Sequence, residues 1–114
     1  MKIVNGGLCL VDTKIINLPD NLKIVNGGLN LYDTPIVSLP EGLTVNGDLN
    51  LISTPITSLP NNLKVGSRLY LENTLITKLP DDLKVEGYIY LGDTPLSRNF
   101  ELLAYYRNKY KIVV

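Results

Sequence analysis

The chain has 114 residues, one domain's length, with 45% apolar residues and eleven Lys/Arg balanced by eleven Asp/Glu. It has no His and no Trp, and one each of Cys, Met and Phe. The neutral balance gives no support to general polyanion binding, and the single Cys excludes an internal disulfide. So little aromatic bulk argues for a thin stacked core of branched aliphatics.

The chain enters mid-repeat, because Lys2-Ile3-Val4-Asn5-Gly6-Gly7-Leu8 recurs unchanged from Lys23 to Leu29. Leu18-Pro19, Leu39-Pro40, Leu59-Pro60 and Leu79-Pro80 then follow at intervals of 21, 20 and 20 residues. A fixed period of this length predicts a solenoid in which each repeat stacks on its neighbours. A partial repeat over residues 1–7 precedes full repeats at 8–28, 29–48, 49–68 and 69–88, with a last partial repeat at 89–96. Residues 1–96 are thus the solenoid, and 97–114 are its predicted C-terminal cap.

Each position in the repeat has an expected task. Leu29-Asn30-Leu31, Leu49-Asn50-Leu51, Leu69-Tyr70-Leu71 and Ile89-Tyr90-Leu91 alternate as short strands with aliphatics inward, forming a narrow parallel sheet. Thr13, Thr34, Thr54, Thr74 and Thr94 recur once per repeat, and their hydroxyls are expected to form a ladder bonding the backbone of the next coil. Pro35, Pro55 and Pro95 suit an extended turn segment. Ile15, Ile36, Ile56 and Ile76 point inward, as do the Leu-Pro leucines, Leu22, Leu43, Leu63 and Leu83, and then Val45, Val65 and Val85. Asn26-Gly27, Asn46-Gly47, Gly66-Ser67 and Glu86-Gly87 turn back to the strand, with glycine expected at positive φ. The extra residue of the first full repeat predicts a bulge near Val25.

From Asn99 to Tyr110 the pattern is helical, with Phe100, Leu103 and Ala104 on the face expected to pack inward. Lys111-Ile112-Val113-Val114 is strand-like. Together these segments should cover the last coil. No equivalent precedes Met1, so the first coil is expected to expose aliphatics and a backbone edge, a surface for homo-oligomer formation. Charge divides along the chain: residues 1–97 hold seven Lys/Arg against ten Asp/Glu, and residues 98–114 hold four against one. The simplest reading is an acidic body with a basic, solvated tail.

The frame Leu-x-Leu-x-x-Thr-x-Ile-x-x-Leu-Pro-x-x-Leu resembles leucine-rich repeats, most closely the short 20-residue bacterial type with Leu-Pro. The variant with Val-x-Gly ahead of the Leu-x-Leu pair looks like repeats of bacterial and bacteriophage proteins. The resemblance covers residues 1 to about 96. Thr stands where that family carries Asn, and the Leu ahead of the pair is replaced by the Val-x-Gly turn. The resemblance implies a mainly β repeat solenoid, a leucine-rich-repeat-like stack with a short parallel sheet. A parallel β-helix is the alternative, because Leu-x-Val on the return segment has the pattern of a second strand.

In that family the outward strand positions on the concave side carry recognition. By resemblance, that role falls on three ladders. One is Cys9, Asn30, Asn50, Tyr70 and Tyr90; a second is Val11, Tyr32, Ile52, Glu72 and Gly92; the third is Gly7, Gly28, Asp48, Arg68 and Tyr88. The expected partner-binding residues are Tyr32, Asn50, Ile52 and Arg68, with Tyr70, Glu72, Tyr88 and Tyr90. Exposed Tyr buries area, keeps a hydroxyl for hydrogen bonding and loses little rotamer entropy. Cross-strand Tyr pairs that merely stabilise the sheet are the competing reading. Asn30 and Asn50 are expected to form a side-chain amide ladder. Asp20, Glu41, Asp81 and Asp82 form a polar edge, offset by Lys23, Lys64 and Lys84. Cys9, without a cationic neighbour in the pattern, reads as a plain small residue.

Catalysis is not expected. Without His the chain lacks the usual general base and the common metal ligand. Its carboxylates recur once per repeat, and the Asn-Gly-Gly turns have no phosphate-loop form. No metal site, cofactor, membrane span or signal peptide is expected, nor the basic stripe that nucleic acid requires. The expected protein is a cytoplasmic, non-enzymatic interaction module, an inhibitor or adaptor that binds a protein partner through its Tyr-rich face. A self-assembling repeat unit and a carbohydrate-binding module are the other two readings.

Overall fold

Each repeat supplies two short strands, one before and one after its Asn-Gly or equivalent turn. In the computed structural model, which describes residues 1–114, the elements in chain order are β1 (Lys2–Val4), β2 (Leu8–Cys9), β3 (Leu22–Val25), β4 (Leu29–Asn30), β5 (Thr44–Val45), β6 (Leu49–Asn50), β7 (Lys64–Val65), β8 (Leu69–Tyr70), β9 (Lys84–Val85), β10 (Tyr88–Tyr90), a 3-10 turn (Leu96–Arg98), α1 (Phe100–Arg107) and β11 (Lys111–Val113). They form a parallel β-solenoid with two sheets, one ordered β1-β3-β5-β7-β9 and the other β11-β10-β8-β6-β4-β2. The return segment does form the second sheet that its Leu-x-Val pattern suggested.

Stacking is in register. Leu29 pairs with Leu49 and Leu49 with Leu69 in the longer sheet, while Val25 pairs with Val45 and Val45 with Val65 in the shorter one. In the repeat 29–48, Leu29, Leu31, Ile36, Leu39, Leu43 and Val45 are all buried. Burial is worth about 1.5–3 kcal/mol for each such side chain, and neighbouring coils complete it. The 25 buried hydrophobic residues form one continuous cluster from Leu18 to Tyr106. In β3, Lys2 pairs with Leu22 but Ile3 pairs with Ile24, so the extra residue is Lys23, a bulge two places before Val25.

Two expectations about turns are corrected. The buried hydroxyls of Thr34, Thr54, Thr74 and Thr94 donate to the carbonyls of Leu31, Leu51, Leu71 and Leu91 at 2.7–2.8 Å, three residues back in their own coil. Thr13 does the same to Leu10. The Thr column therefore staples each bend internally and does not bond coil to coil. The bend itself is left-handed at the residue before each Thr: Asp12, Asp33, Ser53, Asn73 and Asp93 have φ of 55–60°. Asp and Asn tolerate this region better than most residues because their short polar side chains bond locally.

The turn glycines are needed for space. Gly42 is the one glycine with positive φ. A Cβ on Gly27 would stand 2.6 Å from the Gly7 nitrogen, and one on Gly47 would stand 2.8 Å from the Gly28 nitrogen. Gly66 is closed off by the Asn46 carbonyl oxygen in the same way. Beside these glycines, Asn26 Nδ2 donates to Asn5 Oδ1 at 3.2 Å, and Asn46 Nδ2 to Asn26 Oδ1 at 3.1 Å. The amide ladder runs along this turn, whereas Asn30 and Asn50 each accept from a backbone N–H two residues on, at Tyr32 and Ile52.

The C-terminal cap keeps Leu103 inward as expected but is rotated so that Phe100 and Ala104 face out. Asn99 Oδ1 caps α1 by accepting from the Leu102 N–H. Leu103 and Tyr106 are buried, while Phe100 is 81% exposed and Ala104 is also exposed. The Tyr106 hydroxyl both accepts from the Leu79 N–H, at 2.9 Å, and donates to the Leu79 carbonyl, at 3.0 Å. Tyr110 donates to the Leu83 carbonyl at 2.8 Å. Docking of two tyrosines onto the Leu-Pro edge sets the helix rotation and turns Phe100 outward. β11 then pairs with β10 in parallel as the last strand of the longer sheet. No helix is long and apolar enough to cross a membrane.

Gly47→Ala should destabilise the fold by about 1–3 kcal/mol in urea titration through overpacking against the preceding coil. Gly6→Ala, with nothing within 4 Å of its added Cβ, should not. Tyr106→Phe should cost about 1–3 kcal/mol, because it leaves the Leu79 N–H and carbonyl without their partner. The pKa of Tyr110 is raised above its ordinary value, first by burial and then by the charges of Tyr106, Asp81, Asp82 and Tyr105. Its contribution to stability is therefore complete below pH about 10 and is lost as pH rises through the folded pKa. Tyr110→Phe should flatten that alkaline decline in denaturation curves taken across the window.

Candidate functional site

The outer face of the longer sheet carries the three sequence ladders, and its strands hold them at about 4.8 Å spacing. Cys9 pairs with Asn30, Asn30 with Asn50, Asn50 with Tyr70 and Tyr70 with Tyr90. The Tyr70 and Tyr90 rings stack at 4.7 Å between centroids and 8° between planes, close to the coil spacing itself. Tyr88 lies beside Tyr90 at 6.4 Å and is 48% exposed. Parallel stacking holds both rings fixed and presents their edges and hydroxyls outward.

β11 extends this face. Lys111 pairs with Tyr88 and Val113 with Tyr90, and the Lys111 ammonium sits 5.8 Å from the centre of the Tyr88 ring. The sequence reading placed neither residue on the face. Their signal was the outward-inward-outward alternation of Lys111-Ile112-Val113, which matches Tyr88-Ile89-Tyr90.

Arg68 is fully exposed at the edge of the tyrosine stack. Hydrogen bonding with the Tyr70 side chain raises its pKa, followed by the charges of Tyr70, Tyr90 and Asp48. Its backbone N–H donates to Asp48 Oδ1 at 2.9 Å. Arg68, Tyr70, Tyr88 and Tyr90 thus form one cluster, with Asn50 adjoining it. Ile52 and Glu72 lie half-buried in the neighbouring ladder. Glu72 Oε1 is buried without a hydrogen-bond partner, beside the open position left by Gly92. Tyr32, 42% exposed, is two coils away from Tyr70 and outside the aromatic cluster.

The cluster ends at a step. Where Tyr70 gives way to Asn50, Asn30 and Cys9, a shallow recess of about 340 Å³ opens, bordered by Gly7, Gly28 and Asp48. Cys9 is an exposed free thiol in its floor. A second cleft of about 480 Å³ lies on the Leu-Pro edge between Leu59, Leu79 and Tyr106, with Lys78, Asp81 and Asp82 at its rim. Of the lysines expected to offset the acidic row, Lys23 reaches a main-chain oxygen, and so does Lys109 of the cap. Lys23 Nζ donates to the Glu41 carbonyl at 3.0 Å, and Lys109 Nζ to that of Asp81 at 3.3 Å. No three His, Cys, Asp or Glu side chains converge on a point that would hold a metal ion.

Tyr90→Ala should cost about 0.5–1.5 kcal/mol beyond lost burial, the range for an aromatic pair. A double-mutant cycle with Tyr70→Ala, read by urea denaturation, isolates that coupling. No family model, curated protein or solved structure matches the chain.

Proposed function

We propose that the chain is a non-enzymatic, protein-binding repeat module of the leucine-rich-repeat type, bacterial or bacteriophage in kind and acting in the cytoplasm as an inhibitor or adaptor. The observation that carries this reading is the rigid cluster of Arg68, Tyr70, Tyr88 and Tyr90, extended by Lys111, on an outward sheet face. Tyrosine and arginine are the residue types that dominate protein interfaces, because they combine large contact area with directed hydrogen bonding. Stacking has already fixed the Tyr70 and Tyr90 rings, so a partner that docks on them orders few further rotamers. Tyr32, Asn50, Ile52 and Glu72 form the surrounding contact surface. The same tyrosines set out for a sugar ring would make the face a carbohydrate platform, and a glycan array separates that reading from this one.

Homodimer formation at the first coil is the second reading. It is favoured by exposed Ile3 and Ile16 and by β1 and β2 standing at the ends of their sheets. Light scattering over a concentration series separates it from the first, since a strict monomer removes it.

The decisive experiment is affinity capture from a bacterial lysate, with and without phage infection. It compares the unaltered chain with a Tyr70→Ala/Tyr90→Ala variant shown to be folded by circular dichroism. A specific protein retained by the unaltered chain and lost by the variant is the expected result. The same proteins on both, or none on either, overturns the assignment to this face.

A further inference from the structure

The recess beside Tyr70 contains main-chain donors that the chain itself leaves unused. Gly7, Gly28, Asp48 and Arg68 stand just before β2, β4, β6 and β8 of the longer sheet, and Tyr88, the first residue of β10, continues their column. At one of these steps the chain shows what a side chain there does: Asp48 reaches across to the next coil, and its Oδ1 accepts from the Arg68 N–H at 2.9 Å. At the two preceding steps there is no side chain to do this. A Cβ on Gly7 would stand 3.8 Å from the Gly28 nitrogen, and one on Gly28 would stand 3.7 Å from the Asp48 nitrogen. Neither the Gly28 N–H nor the Asp48 N–H donates to any atom of the chain.

Both residues line the recess, together with Asn30 and Asn50. The Oδ1 atoms of these two asparagines are taken by the Tyr32 and Ile52 N–H groups, and their NH₂ groups donate to nothing in the chain. Four unused donors therefore border one recess, with the Tyr70 ring as its end wall. Each of these N–H groups faces the coil before it and suits one oxygen of a carboxylate, as the Arg68 N–H does. Such donors bind charged acceptors more strongly than neutral ones. The Asp48 carboxylate is turned away from the recess step toward the Arg68 N–H.

We propose that this recess receives an aspartate or glutamate side chain of a protein partner, its carboxylate accepting from the Gly28 or the Asp48 N–H group as the Asp48 carboxylate already accepts from that of Arg68. The proposal rests on the reading of this face as a protein-binding surface and names the acidic anchor it would take. Recognition is by main-chain donors, so replacing the asparagine side chains weakens it without abolishing it.

The test uses the full ¹⁵N-labelled chain titrated with two probes, doubly blocked aspartate (N-acetyl-aspartate methylamide) and doubly blocked asparagine. The expected result is a saturable downfield shift of the Gly28 and Asp48 amide protons with the aspartate probe, several-fold weaker with the asparagine probe. In a Gly7→Asp/Gly28→Asp variant the chain supplies its own carboxylates, so both amides should already lie downfield and the probe should move neither. Gly7→Asp alone guards against misfolding of the pair, since its added Cβ makes only ordinary contacts, at 3.4 Å and beyond. It should remove the Gly28 response. No shift, equal shifts with both probes, or a response that survives Gly7→Asp would each overturn the proposal. A captured partner lost with Tyr70→Ala/Tyr90→Ala but kept by Gly7→Asp/Gly28→Asp leaves the tyrosine face standing and removes the carboxylate site.

Discussion

In-register stacking of parallel strands about 4.8 Å apart is the constraint on which the rest of this molecule depends. It brings identical positions of successive repeats into contact, so each side chain is chosen largely by what its own copy one coil away tolerates. Where the space is internal, matching aliphatics fill it, and Leu29, Leu49 and Leu69 lie one above another with no exposed surface to speak of. Where the main chains approach too closely for any side chain, glycine is the residue that fits, as at Gly27 and Gly47. Where two side chains meet in the open, they become a ladder: amide on amide from Asn5 to Asn46, ring on ring from Tyr70 to Tyr90. One rule thus yields core, turn and surface cluster.

The last coil shows how the stack is ended. The shorter sheet stops at β9, and the chain substitutes a helix for the strand that would follow, while the longer sheet gains β11. Two tyrosine hydroxyls reach the main chain of Leu79 and Leu83, 27 residues earlier, and satisfy backbone groups along the Leu-Pro edge. The cap therefore replaces both packing and hydrogen bonding, and it does so without interrupting the face that carries Arg68 and the tyrosines. The basic residue brought by β11, Lys111, settles over an aromatic ring.

Period, core positions and the alternation of outward residues were legible from the sequence because they repeat, and repetition reports stacking directly. The second sheet was visible only as the weaker pattern Leu-x-Val, since two-residue strands barely alternate. What the sequence concealed was mostly hydrogen-bond direction. A Thr in every bend fits equally well with bonding the next coil or its own, and only backbone geometry decides that the Leu carbonyl three residues back is the acceptor. The left-handed turn was written in Asp12, Asp33, Ser53, Asn73 and Asp93, beside the more conspicuous Thr. Phe100 misled because hydrophobicity along α1 is overridden by the two tyrosine anchors, which set the rotation of the helix. At the candidate site, the tyrosine ladder was readable from spacing. The recess was not, because it opens where Gly7 and Gly28 lack side chains and where Tyr70 gives way to smaller neighbours.

The heptapeptide from Lys2 to Leu8, repeated letter for letter from Lys23 to Leu29, shows that these coils can be interchangeable. Since a coil touches only its neighbours, duplicating one 20-residue unit would lengthen the outward face by about 4.8 Å and leave every other contact as it was. Copy number then works as a ruler. Each added unit would extend the face by one fixed step and leave the tyrosine end unchanged.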